Sequence, residues 1–357
     1  MTTTSASIIK KLLVLFLVFA GLHFAKEFLM PIAIGTVLAT LFLPFCKWME
    51  RKKVPKALAT FICLLVLLLG VAGIGALLGW QISELINDFE LIKQKALELA
   101  NRIQLYIFNH LGITADKQWQ LIKDQQFSFI GIIPYMASSM ASILGNFILI
   151  LVYLFGLLYF RSHIKQFILK LATPAQREEM EQVVLSTTQV SQQYLIGLAK
   201  MIACLWIMYG IGFSIIGVKN ALFFAVLCGL LEIVPFIGNI IGTSLTLLVA
   251  AVQGASLPFL GGIVLTYGIV QLIQGWLLEP MMVGPQVKIN PLFTIIALIL
   301  GELVWGIPGI FLAIPLTAMF KIVCDHFESL KPFGFLIGKI EAKENKKIIK
   351  WIKKVGH

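Results

Sequence analysis

The sequence predicts an all-α membrane protein built as a polytopic bundle of transmembrane helices. Apolar residues make up 59% of the 357-residue chain and charged residues only 13%. A soluble globular chain is typically about one-quarter charged, so this composition is typical of an integral membrane protein. Apolar runs of roughly 20 residues, long enough to cross a bilayer as a helix, recur along the chain. Most of the remaining charges lie beside these runs.

The apolar segments differ in length and continuity. Several are too short, or too often interrupted by glycine and proline, to cross a bilayer alone, so we expect about eight to ten segments, some broken or re-entrant. The first two are joined directly at Lys26-Glu27 without a small-residue cleavage site, which favours an uncleaved anchor over a signal peptide. The candidate segments are residues 12–25, 28–46, 57–80, 143–160, 201–218, 220–236, 237–254, 257–278, 291–305 and 308–324.

The placement of charge predicts the orientation. The net charge is +11, and the basic residues cluster in the loop 47–56, after residue 160 and in the tail, where residues 339–354 hold seven lysines and two glutamates. Lysine and arginine accumulate in cytoplasmic loops, so we expect both termini to be cytoplasmic and the number of full crossings to be even. Because the clusters adjoin apolar runs, the expected partner is the lipid bilayer and not nucleic acid.

Two segments outside the apolar runs are amphipathic. Residues 81–140 carry five basic and six acidic side chains, with apolar residues at helical spacing in their first part, so we predict a helical segment on the non-cytoplasmic side. Residues 173–200 open with Thr173-Pro174, a helix-start signal, and are expected to lie along the cytoplasmic surface. The predicted regions are 1–80 (a span pair, a basic loop and a third span), 81–140 (extramembrane), 141–200 (fourth span and cytoplasmic amphipathic helix), 201–330 (transport core with broken helices) and 331–357 (basic cytoplasmic tail).

Only four charged side chains occur in the 101 residues between Lys219 and Lys321, and three of them are glutamates beside helix breakers. A charge at the centre of a membrane-spanning helix costs roughly 2.5–3.5 kcal/mol on insertion scales. Broken helices at membrane depth persist where protein or a water-filled cavity satisfies the freed backbone groups. We therefore predict a transport site, with Glu232, Glu279 and Glu302 as substrate- or ion-binding residues.

The first candidate constellation surrounds Glu232. Pro235 removes a backbone donor from the helix, and the G-x-x-x-G spacing of Gly238 and Gly242 lets a second helix approach closely. Asn239, between the glycines, offers both a donor and an acceptor. A cation, a proton or a polar hydroxylated solute would be held here. The alternative is a proline-kinked hinge whose glutamate pairs with a neighbour.

The second and third constellations follow in the chain. Gln271 and Gln274 share a helix face that leads towards Glu279, and Lys288 is close enough in sequence to neutralise that glutamate, so the alternative is a turn with a surface salt bridge. Glu302 precedes a glycine- and proline-rich stretch that forms either half-helices with exposed ends or a purely structural turn. The predicted helix-break and packing residues here are Pro280, Pro291, Gly306, Pro308, Gly309 and Pro315.

The sequence lacks the motifs that mark several enzyme and metal-binding classes. There is no G-x-x-x-x-G-K-[ST] phosphate loop, no G-x-S-x-G elbow and no H-E-x-x-H zinc motif, and the five cysteines contain no C-x-x-C pair. We therefore expect neither an enzyme nor a bound cofactor or metal.

The motif-rich half resembles the autoinducer-2 exporter family of bacterial membrane proteins. The resemblance is carried by P-F-I-G-N-x-x-G at 235–242, L-E-P at 278–280, N-P at 290–291 and G-I-P-G-I-F-L-A-I-P-L at 306–316. It implies a multi-spanning transporter of the bacterial inner membrane that forms a homo-oligomer. Contacts of residues 81–140 with neighbouring subunits would allow a ring such as a pentamer. Members of the family are associated with export of a furanone-type signal or with sodium (lithium)/proton antiport.

These observations favour a secondary transporter that exports a small polar solute, such as an autoinducer-2-like signal, coupled to an ion gradient. Glu232 and Glu302 would carry the proton or cation, and Asn239, Gln271 and Gln274 would offer hydrogen bonds to the solute. Burial disfavours the charged form of a carboxyl, as proton coupling requires. The alternatives are a sodium(lithium)/proton antiporter and a non-transporting scaffold that acts through residues 81–140.

Overall fold

In the computed structural model the chain folds into helices throughout the part that the structure describes, residues 2–87, 94, 98, 108–109, 132–234, 237–283 and 288–339. These ranges contain no strand apart from an isolated β-bridge between Ile289 and Gly338. The α-helices are α1 (Thr2–Phe24), α2 (Lys26–Arg51), α3 (Lys56–Asn87), α4 (Ile132–Tyr159), α5 (Arg161–Leu171), α6 (Arg177–Ile216), α7 (Ala221–Leu231), α8 (Ile237–Val252), α9 (Leu257–Ile273), α10 (Glu279–Met282), α11 (Pro291–Trp305), α12 (Ile307–His326) and α13 (Lys331–Ile337).

Five helical stretches in the described part are long and apolar enough to cross a membrane: α2, α3 as far as Trp80, α6 with the turn before it, α9 with its continuation through α10, and α12. The bent pair of α4 and α5 adds a sixth candidate. The predicted all-α polytopic membrane bundle is therefore confirmed. Most of the segment 81–140 and nearly all of the tail 331–357 beyond α13 lie outside the described residues.

The largest hydrophobic cluster is built around α6. Leu205, Tyr209 and Phe213 follow one another at four-residue intervals on one face of this helix, and all three are fully buried. Ile263 of α9 and Leu312 of α12 belong to the same cluster. Helix α6 is thus the central element, against which α7, α9 and α12 pack.

Helix α6 differs from the expectation that residues 173–200 form a surface helix separate from the span 201–218. It runs unbroken for 40 residues, about 60 Å at 1.5 Å per residue. Its first half packs against α2, where the hydroxyl oxygens of Thr40 and Ser191 are 3.2 Å apart. The structure therefore carries this stretch directly into the next span, and the predicted boundary at residue 200 falls inside one helix.

A second hydrophobic cluster joins α2, α3 and α4 through Cys46, Cys63, Leu154 and Leu158. Beside it α4 ends and α5 leaves at an angle of 71°. Arg161, the first residue of α5, forms an ion pair with Glu50 near the end of α2. This ion pair links the bend between α4 and α5 to α2.

Helices α7 and α8 form an antiparallel hairpin that is too short to cross the membrane twice. Gly238 lies against Leu231, and Gly242 lies against Cys228, so the residue numbers run in opposite directions. With 11 and 16 residues the two helices measure about 17 and 24 Å, less than the roughly 30 Å of hydrocarbon in a bilayer. Each arm of the hairpin is therefore shorter than a full membrane span.

Helices α11 and α12 form a second hairpin, and the sequence accounts for its ends. Asn290 caps α11, because its side-chain oxygen accepts a hydrogen bond of 2.9 Å from the backbone N–H of Phe293. Pro291 then occupies the first helical turn, where no backbone donor is needed. The Asn290 amide also donates to the carbonyls of Leu336 and Gly338, so the start of the hairpin is tied to α13.

Candidate functional site

The break between α7 and α8 positions Glu232. Helix α7 ends at Leu231, and the carboxyl group of Glu232 turns into the interior, where its residue is only 5% exposed. A Cβ atom on Gly238 would lie 1.8 Å from the carbonyl oxygen of Leu231, so only glycine permits this approach. Pro235, the predicted helix breaker, lies outside the described residues.

Gln274 connects the polar side chains of three helical segments. It comes from the stretch after α9, and its amide nitrogen donates to Glu232 Oε1. Its amide oxygen accepts hydrogen bonds from Asn239 Nδ2 at 3.1 Å and from Gln271 Nε2 at 3.3 Å. Four of the six predicted binding residues are thereby brought into one continuous network, although they span 42 positions in the sequence.

Several buried oxygen atoms around this network have no hydrogen-bond partner. They are Glu232 Oε2, Asn239 Oδ1, Thr243 Oγ1 and Tyr209 Oη. Buried polar atoms are nearly always paired in folded proteins, and each unpaired group raises the free energy of the folded state by about 1–3 kcal/mol. These oxygens are therefore available as acceptors to water or to a bound ligand.

A π-helical turn at Gln274–Leu278 presents Gln274 to the network. The backbone N–H of Glu279 bonds to the carbonyl of Gln274, five residues back, in place of the four-residue α pattern. Such turns are rare and occur frequently at functional sites. The turn also changes the helical register between Gln271 and Glu279, so the face shared by Gln271 and Gln274 does not continue regularly to Glu279.

Glu279 lies outside the hydrogen-bonded network. It begins α10, with Pro280 in the first turn, and its residue is exposed. No ion pair joins it to Lys288, although both residues are described, so the salt bridge considered from the sequence does not form.

Glu302 also lies apart from the network. It is exposed on α11 and makes no side-chain hydrogen bond or ion pair with another described residue. The break that follows it is structural: Gly306 has a φ of 66°, which favours glycine, and begins the turn into α12. Gly301 and Gly309 face each other so closely that a Cβ on Gly309 would lie 1.9 Å from the carbonyl oxygen of Gly301.

Two of the predicted prolines lie in α12, the second arm of the α11–α12 hairpin. Pro308 sits in the first turn of α12, where a missing donor is tolerated, and Pro315 is buried within the same helix. Neither contributes a group to the Glu232 network. Helix α12 continues without a break past Pro315, so this proline does not end a helix, and the predicted packing role of both prolines stays a prediction.

Sequence reasoning did not identify Tyr209 or Thr243. Tyr209 of α6 is buried in the same hydrophobic cluster as Val270 of α9, next to Gln271 in the sequence, and Thr243 lies one turn after Asn239 on the same face of α8. The spacing of Thr243 from Asn239 was an available signal. Tyr209 offered none, because its proximity arises from the packing of α6 against α9.

The network can accept a hydrogen bond, a proton or a cation. Its unpaired atoms are all oxygens, the element preferred by hard cations, and they are also acceptors for a hydroxylated solute. Within the described residues, no three histidine, cysteine, aspartate or glutamate side chains come together in a way that could hold a metal ion.

Comparison with known proteins places most of the chain in one family. A family model described as "AI-2E family transporter" matches residues 12–329. A Bacillus subtilis protein named "Putative transport protein YrrI" is 25% identical over 312 residues, covering 85% of this chain and 87% of its own. The Escherichia coli "AI-2 transport protein TqsA" is 23% identical over 349 residues, covering 96% of this chain and 98% of its own. The chain therefore belongs to the AI-2E family of transporters.

Proposed function

We propose that the protein is a secondary transporter that exports a small polar solute, and that the Glu232 network binds the solute and the coupling ion. The observation that carries the proposal is the set of unpaired buried oxygens around Glu232, at the tip of a hairpin that is too short to span the bilayer. Family membership supports the transport role. The name of the relative TqsA supports an autoinducer-2-like solute.

The arrangement is suited to a polar ligand that is exposed in turn to the two sides of the membrane. Glu232 presents one oxygen to Gln274 and leaves the other free, so a ligand that donates a hydrogen bond, or a proton, can occupy the free oxygen without disrupting the network. Helix α7 ends at Leu231 and α8 begins at Ile237, and such an interruption at membrane depth is tolerated where protein or a water-filled cavity satisfies the freed backbone groups. Discontinuous helices at a midplane site are common in secondary transporters.

A second candidate function is sodium(lithium)/proton antiport without an organic substrate. The observation that favours it is the exclusively oxygen character of the unpaired atoms, since carboxylate, amide and hydroxyl oxygens are the ligands of hard cations. In this mechanism Glu232 would exchange a proton for the cation.

One experiment separates the candidates: flux measurements in proteoliposomes containing the purified full chain. Movement of autoinducer-2, sodium and protons is followed in parallel for the native protein, for Glu232→Gln and for Glu328→Gln. The Glu328 variant is the matched control, because this carboxylate is 93% exposed and lies outside the network. We expect gradient-dependent flux of autoinducer-2 that is lost in Glu232→Gln and retained in Glu328→Gln.

Each other outcome has a defined meaning. Sodium-dependent dissipation of a proton gradient without autoinducer-2 flux would replace solute export by antiport. Absence of flux for all three species would reject both functions and favour a scaffold acting through residues 81–140. Equal flux in Glu232→Gln and in the native protein would remove Glu232 from the transport site.

A further inference from the structure

We propose that the pocket at the bend between α4 and α5 binds the phosphate headgroup of an anionic phospholipid. The pocket has a volume of about 500 Å³ and lies between the start of α3 and the bend. It is lined by Lys56, Tyr159, Ser162, His163 and Gln166, together with two apolar neighbours. It shares no lining residue with the Glu232 network, so the proposal does not depend on the transported species.

The polar lining of this pocket is complementary to an anion. The ammonium of Lys56, the hydroxyls of Tyr159 and Ser162, the imidazole of His163 and the amide of Gln166 all provide donors. No carboxylate lines the pocket. Clustered donors with a lysine are a recurrent means of holding phosphate.

Two acidic side chains that lie on neighbouring helices have cationic partners of their own. Glu50 is paired with Arg161, and Glu181 is paired with Lys165 at 2.6 Å. Neither glutamate forms an ion pair with Lys56, whose ammonium lies over the ring of Tyr159, 5.5 Å from its centre. The positive charge of Lys56 is thus available to a ligand, and the basic loop 51–53 adds to the local potential.

The surroundings favour a lipid over a free phosphate ion. Immediately after Lys56, α3 exposes Leu58, Phe61 and Leu65, which recur at helical spacing and form an apolar strip that starts at the pocket. Helix α5 leaves α4 at 71° and exposes Phe167. A headgroup in the pocket would therefore place its acyl chains along the strip on α3, and basic pockets between membrane helices bind such headgroups.

Native mass spectrometry of the purified full chain tests the proposal, with equimolar phosphatidylglycerol and phosphatidylcholine as probes. We expect preferential retention of phosphatidylglycerol, reduced about fivefold or more in Lys56→Gln/His163→Gln, because one basic side chain near an anionic lipid contributes about that factor. The matched control Lys170→Gln/Lys331→Gln removes two basic residues that do not line the pocket and should retain the preference. Lys56→Arg, which keeps the charge, should retain it as well.

The contrary results are equally specific. Equal retention of the two lipids by the native protein, or equal losses in both double variants, would overturn the proposal. Binding of glycerol 3-phosphate as tight as that of phosphatidylglycerol would show that the acyl chains contribute nothing, and would replace the lipid by a soluble phosphate ester. If Lys56→Gln/His163→Gln does not fold, loss of the preference in Lys56→Gln alone, with Lys56→Arg unaffected, supports the proposal, and an unchanged preference overturns it.

Discussion

Within the buried polar network, Gln274 contacts three side chains at once, whereas Gln271 contributes a single hydrogen bond. The two amides therefore have different roles in the network, although their sequence positions predict only that they share one helical face. Gln274 is buried and Gln271 is partly exposed. Replacing either amide by leucine preserves its approximate size and removes its polar atoms.

We expect Gln274→Leu to lower the free energy of unfolding by about 1.5–3 kcal/mol, because Glu232 loses its hydrogen-bond donor within the protein interior. Gln271→Leu removes one bond between neutral groups at a less buried position, so its loss should be about 0.5–1.5 kcal/mol. Chemical unfolding of the two variants in detergent, followed by tryptophan fluorescence, measures the difference. Equal losses would show that Gln274 is not the centre of the network.

The residues of the site were predictable in part. Glu232, Asn239, Gln271 and Gln274 stand out as polar groups in a stretch with almost no charge, and the structure brings them together. Glu302 and Glu279 have the same sequence signature but lie outside the network. What the sequence could not supply is the contact between distant helices, since this depends on how α6, α8 and α9 pack. The assignment of all six residues as binding residues stays a prediction.

Among the helical elements, the two hairpins depend on glycines at close backbone contacts. The G-x-x-x-G spacing of Gly238 and Gly242 predicted a close approach by another helix, and the approaching helix is α7, the preceding arm of the same hairpin. The breaks around residues 235 and 306 were likewise visible as proline and glycine clusters. The π-helical turn after α9 was not, because no residue type marks it and it arises where Gln274 reaches its partners.

Alanine substitution tests the close contact in the first hairpin. Gly238→Ala should destabilise the protein by about 1–3 kcal/mol, because the new methyl group would overlap the backbone carbonyl of Leu231, which cannot rotate away. Gly268→Ala on α9 is the matched control: no other group lies within 4 Å of its added Cβ, so it should stabilise the helix by about 0.5–1 kcal/mol. Thermal unfolding in detergent compares them, and a neutral Gly238→Ala would contradict the hairpin geometry.

At the scale of the whole molecule, the length of α6 sets the distance between the α5 region and the start of α9. Lys165 of α5 pairs with Glu181 near the start of α6, whereas Ile216 at its end packs beside Gly262 of α9. Because α6 measures about 60 Å, these two regions are further apart than the roughly 30 Å hydrocarbon thickness. The α5 region carries the basic residues, so from the positive-inside rule we predict that it lies in the cytoplasm and that the α8–α9 loop lies on the opposite side.

This assignment predicts the labelling of single cysteines in a cysteine-free background. Lys170→Cys and Ser256→Cys introduce exposed thiols at the two ends, and Ser256 makes no side-chain capping bond that would be lost. A membrane-impermeant maleimide added to intact cells should label Ser256→Cys and leave Lys170→Cys unlabelled until the membrane is permeabilised. A permeant maleimide should label both variants and thereby control for thiol reactivity. Labelling of both by the impermeant reagent would place the two regions on one side, and the reverse pattern would invert the topology and place the lipid pocket at the outer leaflet.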